Sequence, residues 1–383
     1  MTEFRVSAPG KIILHGEHAV VYGKTAVAAS VDIRTTLDFK ELPEDCEYAV
    51  LSMPKIGLYV NVSVKQIRER FYTEACSKLS DGHETFHNYV AKFVEKIGYT
   101  NFQQKFALEG VFYLLVSISQ FESIELRPFQ MVLDTALTIG AGLGSSASFS
   151  VCLATAFIHW SHKQKNQTTL MDEQQLETIS RYALNGEKIM HGNPSGLDNS
   201  ISTFGSVIEF RRGEPLKQIP GVKSMRALLV DTRVQRSTKA LVEKFFTLKE
   251  KYPMIFLPIL DSMDYVAKKA IEVLKNIQTT PDSTDESLYS AYKELMVMIE
   301  VNHGLLATCQ VSHQSLDTIC AEAKNYGLAG KLTGAGGGGY AYILLLPDTP
   351  TETITSITTK LTANGYPVTL VTLGGVGVKI HET

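Results

Sequence analysis

The residues best suited to chemistry lie in and beside glycine-bearing segments. The first is Gly140-Ala141-Gly142-Leu143-Gly144-Ser145-Ser146. Glycine lets backbone N–H groups crowd round a phosphate, because no Cβ stands in the way. A helix start beside such a loop adds unpaired donors and a partial positive charge. Here small and apolar residues follow as far as Trp160, long enough for a buried helix starting near Ser145. A capped helix after a turn accounts for the two serines but not for three glycines in five residues. The segment therefore reads as a phosphate cradle.

Two other segments read differently. Gly23-Lys24-Thr25 ends like a Walker A loop, but His18 occupies the position of the leading glycine. A P-loop nucleotidase is disfavoured. Gly334-Ala335-Gly336-Gly337-Gly338-Gly339 satisfies G-x-G-x-x-G, yet the residues after it, Tyr340 to Leu346, are strand-like rather than helical. A dinucleotide fold is therefore a weak reading, and the run implies close backbone approach to a ligand or to another loop.

Charged side chains near these loops supply the reactive groups. Lys11 follows Ala8-Pro9-Gly10, which reads as a turn between short strands; Glu187 falls on a helix; Asp198 lies in Ser195-Gly196-Leu197-Asp198-Asn199. Each has an ordinary alternative: a surface lysine, a solvated helix edge, a carboxylate favouring a helix start. They gain weight only together.

The elements that must position them follow from periodicity. Val27 to Phe39, Leu58 to Val64 and Met131 to Leu137 read as strands, and Gln104 to Phe121 as a buried helix. A helix runs from Asp172 to His191 with Gly192 as its stop; Asn193-Pro194 signals a restart that puts Asp198 about one turn into the next helix. Turn formers cluster between Arg211 and Lys223, which sets a boundary between residues 1–222 and 223–383. Beyond it, Ala227 to Asp231 reads as a strand, and helices follow near 237–251, 261–276, 285–311 and 313–326. Strands at 340–346 and 367–373 flank a last helix. Strands and helices interleave without strict βαβ order, so the class is α+β with two domains.

Composition narrows the functions. Thirty-seven basic and forty acidic side chains give a net charge of -3, which argues against nucleic acid as a partner. Five scattered cysteines with no C-x-x-C pair argue against a disulfide framework or a zinc site and for a reducing compartment. The first five residues show no secretory signal, and no apolar run approaches a membrane span, so a cytoplasmic protein without membrane partners is expected. His381-Glu382-Thr383 is not a peroxisomal address of the Ser-Lys-Leu type.

Taken together, the segments resemble the GHMP kinases. Residues 8–23, with Gly16-Glu17-His18-Ala19-Val20-Val21, look like the first family motif; Gly140 to Ser146 looks like the second; Lys331-Leu332-Thr333-Gly334 through Gly339 looks like the third. Gly186-Glu187 and Gly192 through Asn199 also match. The resemblance implies an N-terminal domain like the second domain of ribosomal protein S5, a ferredoxin-like C-terminal domain, and ATP in the cleft between them. It points to the branch that phosphorylates the 5-hydroxyl of mevalonate, with Mg2+, in isoprenoid and sterol precursor synthesis.

Roles carry over by position. Asp198 would be the general base, and Lys11 would offset negative charge on the attacking oxygen and the γ-phosphate. Ser146 and Glu187 would hold Mg2+. The backbone of Gly140, Ala141, Gly142, Leu143, Gly144, Ser145 and Ser146 would bind ATP, with Lys55 and Thr135 near its base. Glu17, His18, Thr238 and Arg236 would line the substrate pocket. Relatives are commonly homodimers. Departures from the pattern are Thr138-Ile139 in place of a proline, which predicts a less rigid approach to the loop, Lys55 for asparagine, Thr135 for serine and Gln235 for proline. The competing readings are another GHMP kinase such as one acting on phosphomevalonate, a non-catalytic sensor on this scaffold, and a dinucleotide oxidoreductase. Retention of Lys11, Ser146, Glu187 and Asp198 weighs against the sensor.

Overall fold

The computed structural model describes residues 1–77, 82–192, 194–219, 222–279 and 286–382. Along the chain run β1 Glu3–His15, β2 Ala26–Glu41, β3 Tyr48–Met53, β4 Leu58–Ser63, α1 Val64–Phe71, α2 Glu74–Ser77, α3 His83–Ile97, α4 Phe102–Glu122 and β5 Phe129–Thr135. Then come α5 Ser145–Gln164, α6 Glu173–His191, α7 Leu197–Phe204, β6 Val207–Phe210, β7 Lys217–Ile219 and β8 Met225–Asp231. The remainder is α8 Thr238–Lys251, α9 Pro253–Thr279, α10 Glu286–Thr308, α11 Gln314–Asn325, β9 Ala329–Thr333, β10 Tyr340–Leu344, α12 Thr351–Ala363, β11 Val368–Leu373 and β12 Lys379–Glu382.

The strands join in the order β4-β3-β5-β2-β11-β8-β10-β9, with β1 paired to β2 and β12, and β6 to β2 and β7. The two halves of this path meet at one residue pair, Leu373 with Val31. One core packs α4 and α5 on the first half, through Phe112, Phe157 and Trp160. The other packs helices α9 to α11 on β8, β9 and β10 and continues onto Ile12, Val27 and Val31 of the first half. Burial on nearly every face of α5 from Ala147 to Ser161 explains why small and apolar residues dominate that stretch.

Most predicted elements stand, and three differences bear on the site. Residues 8–10 are not a turn: β1 runs straight through them, with a register shift between Pro9 and Gly10. Proline tolerates that break in the ladder, and Gly10 leaves room for the carbonyl of Leu143, which a Cβ would approach to 2.8 Å. The helix after α6 starts at Leu197 behind Gly196, whose φ is 82°, so Asp198 is its second residue rather than one turn in. Asn193, the expected cap, lies outside the described residues, as do Pro220 and Gly221 of the expected boundary. Helix α9 begins at Pro253, well before residue 261.

Candidate active site

The bulge in β1 turns Lys11 toward α7. Lys11 Nζ stands 3.3 Å from Asp198 Oδ1, with the lysine side chain 8% exposed and the aspartate 33%. Helix α7 is fixed at both of its neighbours. Ser202 Oγ donates to the Pro9 carbonyl at 2.9 Å, and Asn199 Nδ2 donates to the Ser180 carbonyl of α6 at 2.9 Å. Asp198 also sits in the first turn of α7, where the helix dipole favours a carboxylate.

Glu187 of α6 is buried on the same cleft. Its carboxyl is raised to about 8, first by burial and then by the charge of Asp198, against the opposing pull of Lys11 and a hydrogen bond from Ser146. One ammonium thus faces two carboxyl groups, and Glu187 Oε2 has no hydrogen-bond partner among the described residues. Ser146 Oγ lies 2.9 Å from His191 Nε2. Two carboxyl groups and a hydroxyl, one carboxylate oxygen unsatisfied, suit a hard divalent cation such as Mg2+.

Directly beside Lys11 runs the glycine loop. Gly140, Gly142 and Gly144 have φ of 77°, 79° and 77°, the left-handed region that glycine alone adopts freely. Gly144 caps α5 without a side-chain hydrogen bond, so the first N–H groups of a 20-residue helix are left open. The loop is anchored from behind. Lys11 N donates to the Leu143 carbonyl at 2.8 Å, and Arg236 Nη2 donates to the Ala141 carbonyl at 2.8 Å. Beneath it, Thr35 Oγ1 lies 2.8 Å from Thr135 Oγ1 and 2.7 Å from Ser148 Oγ.

These groups line one cleft of about 680 Å3. It brings together Lys11, Glu17, His18, Lys55, Thr135, Gly140, Gly142, Gly144, Ser145, Ser146, Glu187, Asp198, Arg236 and Thr238. Ala141 and Leu143 stay out of its wall: the Ala141 carbonyl is taken by Arg236, and the Leu143 side chain is buried. Met53, Phe106, Leu133 and Phe149 form an apolar wall that sequence reasoning missed, because their spacing matches ordinary core positions. His191 was missed as well.

The expected substrate side is built differently from the phosphate side. Both oxygens of Glu17 are engaged, one by the buried ammonium of Lys331 and the other by Asn302 Nδ2 at 3.0 Å. His18 holds a left-handed φ of 58°, stacks on Phe245 at 5.2 Å and places Nε2 2.8 Å from the Ala335 carbonyl. The third glycine run lines the cleft at Gly334 and Ala335 and is close protein packing beyond them. A Cβ at Gly337 would meet Leu241 at 2.8 Å, one at Gly338 Val234 at 2.7 Å, and one at Gly339 Arg236 at 2.8 Å.

Comparison with known proteins identifies the family of the chain. Residues 107–206 match the GHMP kinases N terminal domain and residues 286–364 the GHMP kinases C terminal domain. Mevalonate kinase of Bos taurus is 36% identical, covering 98% of this chain and 94% of its own length. The chain belongs to the mevalonate kinase family of GHMP kinases. It is therefore a kinase, of α+β fold. Family members from more distant sources align as fully: mevalonate kinase of Arabidopsis thaliana is 34% identical over 99% of both chains. Among solved structures, the L. major mevalonate kinase in complex with R-mevalonate shares the fold with a TM-score of 0.66 at 21% identity, covering 98% of this chain and 97% of that one. The fold extends beyond the family, to Lactococcus lactis galactokinase complexed with galactose, at a TM-score of 0.63, 17% identity and coverage of 98% and 95%.

Proposed function

We propose that this chain transfers the γ-phosphoryl group of ATP to the 5-hydroxyl of (R)-mevalonate, giving ADP and 5-phosphomevalonate. The observation that carries this reading is the Lys11–Asp198 pair standing beside the open start of α5 on one cleft. Phosphoryl transfer demands alignment and charge neutralisation more than covalent chemistry.

In this reading the N–H groups of the 140–146 loop and the first turn of α5 receive the phosphates, and the apolar wall with Thr135 and Lys55 receives the nucleoside. Asp198 accepts the proton of the incoming hydroxyl as the new bond forms. A carboxylate is a weak base for a free alcohol, so its help comes late in the transfer. Lys11 stabilises the charge on the attacking oxygen and the transferring phosphoryl. Ser146 and Glu187 would hold Mg2+, which supplies neutralisation of phosphate charge when bound. Thr238 and His18 orient the carboxylate and hydroxyls of the acceptor, and Arg236, whose guanidinium holds the Ala141 carbonyl, supports that pocket from the loop side. Glu17, with both oxygens engaged, acts by fixing the shape of that pocket.

The same reading divides the chain into domains 1–222 and 223–383 and sets the protein as a cytoplasmic homodimer in isoprenoid precursor synthesis. No described helix is long and apolar enough to cross a membrane. The test is ADP release with Mg-ATP and a panel of acceptors: mevalonate, phosphomevalonate, homoserine and galactose. Release dependent on mevalonate alone supports the reading; release with another acceptor and not with mevalonate overturns it.

A further inference from the structure

One contact of the phosphate loop is made by side chains that the reaction above does not use. Thr138 precedes Gly140 by two residues, and its carbonyl accepts from Ala141 N at 3.3 Å, so it forms the corner from which the glycines depart. Thr138 Oγ1 lies 2.8 Å from the hydroxyl of Tyr340. That hydroxyl donates in turn to Asp231 Oδ2 at 3.3 Å. Donor and acceptor roles then run one way: Thr138 gives to Tyr340, and Tyr340 gives to Asp231.

The far end of this relay is rigid. Tyr340 opens β10 and is the antiparallel partner of Asp231 at the end of β8. The other oxygen of Asp231 accepts from Arg233 N at 2.8 Å. The Tyr340 ring is buried, so its hydroxyl has one place to be. Burial raises the phenol above its ordinary range, which keeps it a donor at neutral pH. The near end is the opposite. Thr138, Ile139 and Gly140 are exposed, and a loop with glycines at 140, 142 and 144 has many conformations to lose. Any ordering left for the nucleotide to perform is subtracted from its affinity.

We propose that Tyr340, acting through Thr138 and Asp231, is a nucleotide-positioning residue that holds the 140–146 loop ready for phosphate before ATP arrives. This rests on the reading that the loop receives the triphosphate. Binding of Mg-ADP to the full chain, followed by calorimetric titration, tests it alongside steady-state kinetics with mevalonate. Tyr340→Phe and Thr138→Val are each expected to weaken Mg-ADP by about threefold to tenfold, the worth of one hydrogen bond. The KM for mevalonate and the kcat at saturating ATP stay at the parent values. The double variant binds no more weakly than either single one, because both remove the same link. Thr138→Ser, which keeps the hydroxyl, binds like the parent.

Parent-like affinity in Tyr340→Phe, additive losses in the double variant, or a loss of kcat with unchanged affinity each overturn the proposal. Thr138→Val changes an exposed side chain, so a preserved melting midpoint in that variant separates loop positioning from general damage. A parent protein that binds no Mg-ADP would instead remove the kinase reading on which the proposal stands.

Discussion

Lys331 and Glu17, 314 residues apart, form an ion pair with no solvent exposure on either side chain. Lys331 Nζ also donates to the Leu332 carbonyl at 2.6 Å and lies 5.5 Å above the Tyr342 ring. The pair ties the first family motif to β9, and Asn302 adds a tie to α10. Burial pulls the Lys331 ammonium below its ordinary range, and Glu17 opposes that pull.

Removing one partner leaves a charge buried without a counter-ion. Lys331→Met is expected to cost about 3–5 kcal/mol of folding stability, and adding Glu17→Gln to recover part of it. Denaturant unfolding of the two variants checks this; a double variant less stable than Lys331→Met contradicts it.

Local signals carried much of this architecture. Helix α6 begins at its cap Asp172, which accepts from Gln175 N, and ends at Gly192, where the chain turns to a φ of 71°. The start of α5 at Ser145 was legible from the change in composition behind Gly144. At residues 8–10 proline and glycine signal a turn locally, whereas their roles in the strand are set by Ser202 and Leu143, far along the chain. The third glycine run does make the close approach its composition implies, but its partners Leu241, Val234 and Arg236, from the segment around the start of α8, are visible only in the fold. Thr138 in place of proline predicted a looser approach to the phosphate loop, and only the fold brings Tyr340 to it. Long-range partners leave no trace in spacing or periodicity.

Glu187 makes activity and stability oppose each other. Glu187→Gln keeps the shape but removes a carboxyl that is buried beside Asp198 with one oxygen unsatisfied. The variant is expected to require more Mg2+ for half-maximal ADP release and to melt no lower than the parent in the absence of metal. A magnesium titration of turnover and a metal-free melt read the two effects separately. An unchanged magnesium requirement contradicts the assignment.

Acid should weaken the fold through His159. Its imidazole is lowered from 6.5 to about 4, chiefly by burial, with Glu382 opposing and Lys163 and His162 adding to the shift. Nδ1 is also held 2.7 Å from Thr169 Oγ1. Between pH 6.5 and about 4 the unfolded chain carries this proton and the folded chain does not. Stability from this group is therefore complete above pH 6.5 and is lost as pH falls toward about 4. Unfolding free energies across that range should show a shallower pH slope in His159→Gln; an identical slope contradicts the assignment.

In the proposed reaction Asp198 takes the proton from the alcohol as phosphate arrives. Asp198→Ala is the direct measurement, with turnover on mevalonate and affinity for Mg-ADP determined on the same preparation. A general base at this position should lose about a hundredfold to ten-thousandfold in kcat on this change, with nucleotide affinity largely kept. Turnover equal to the parent would contradict it.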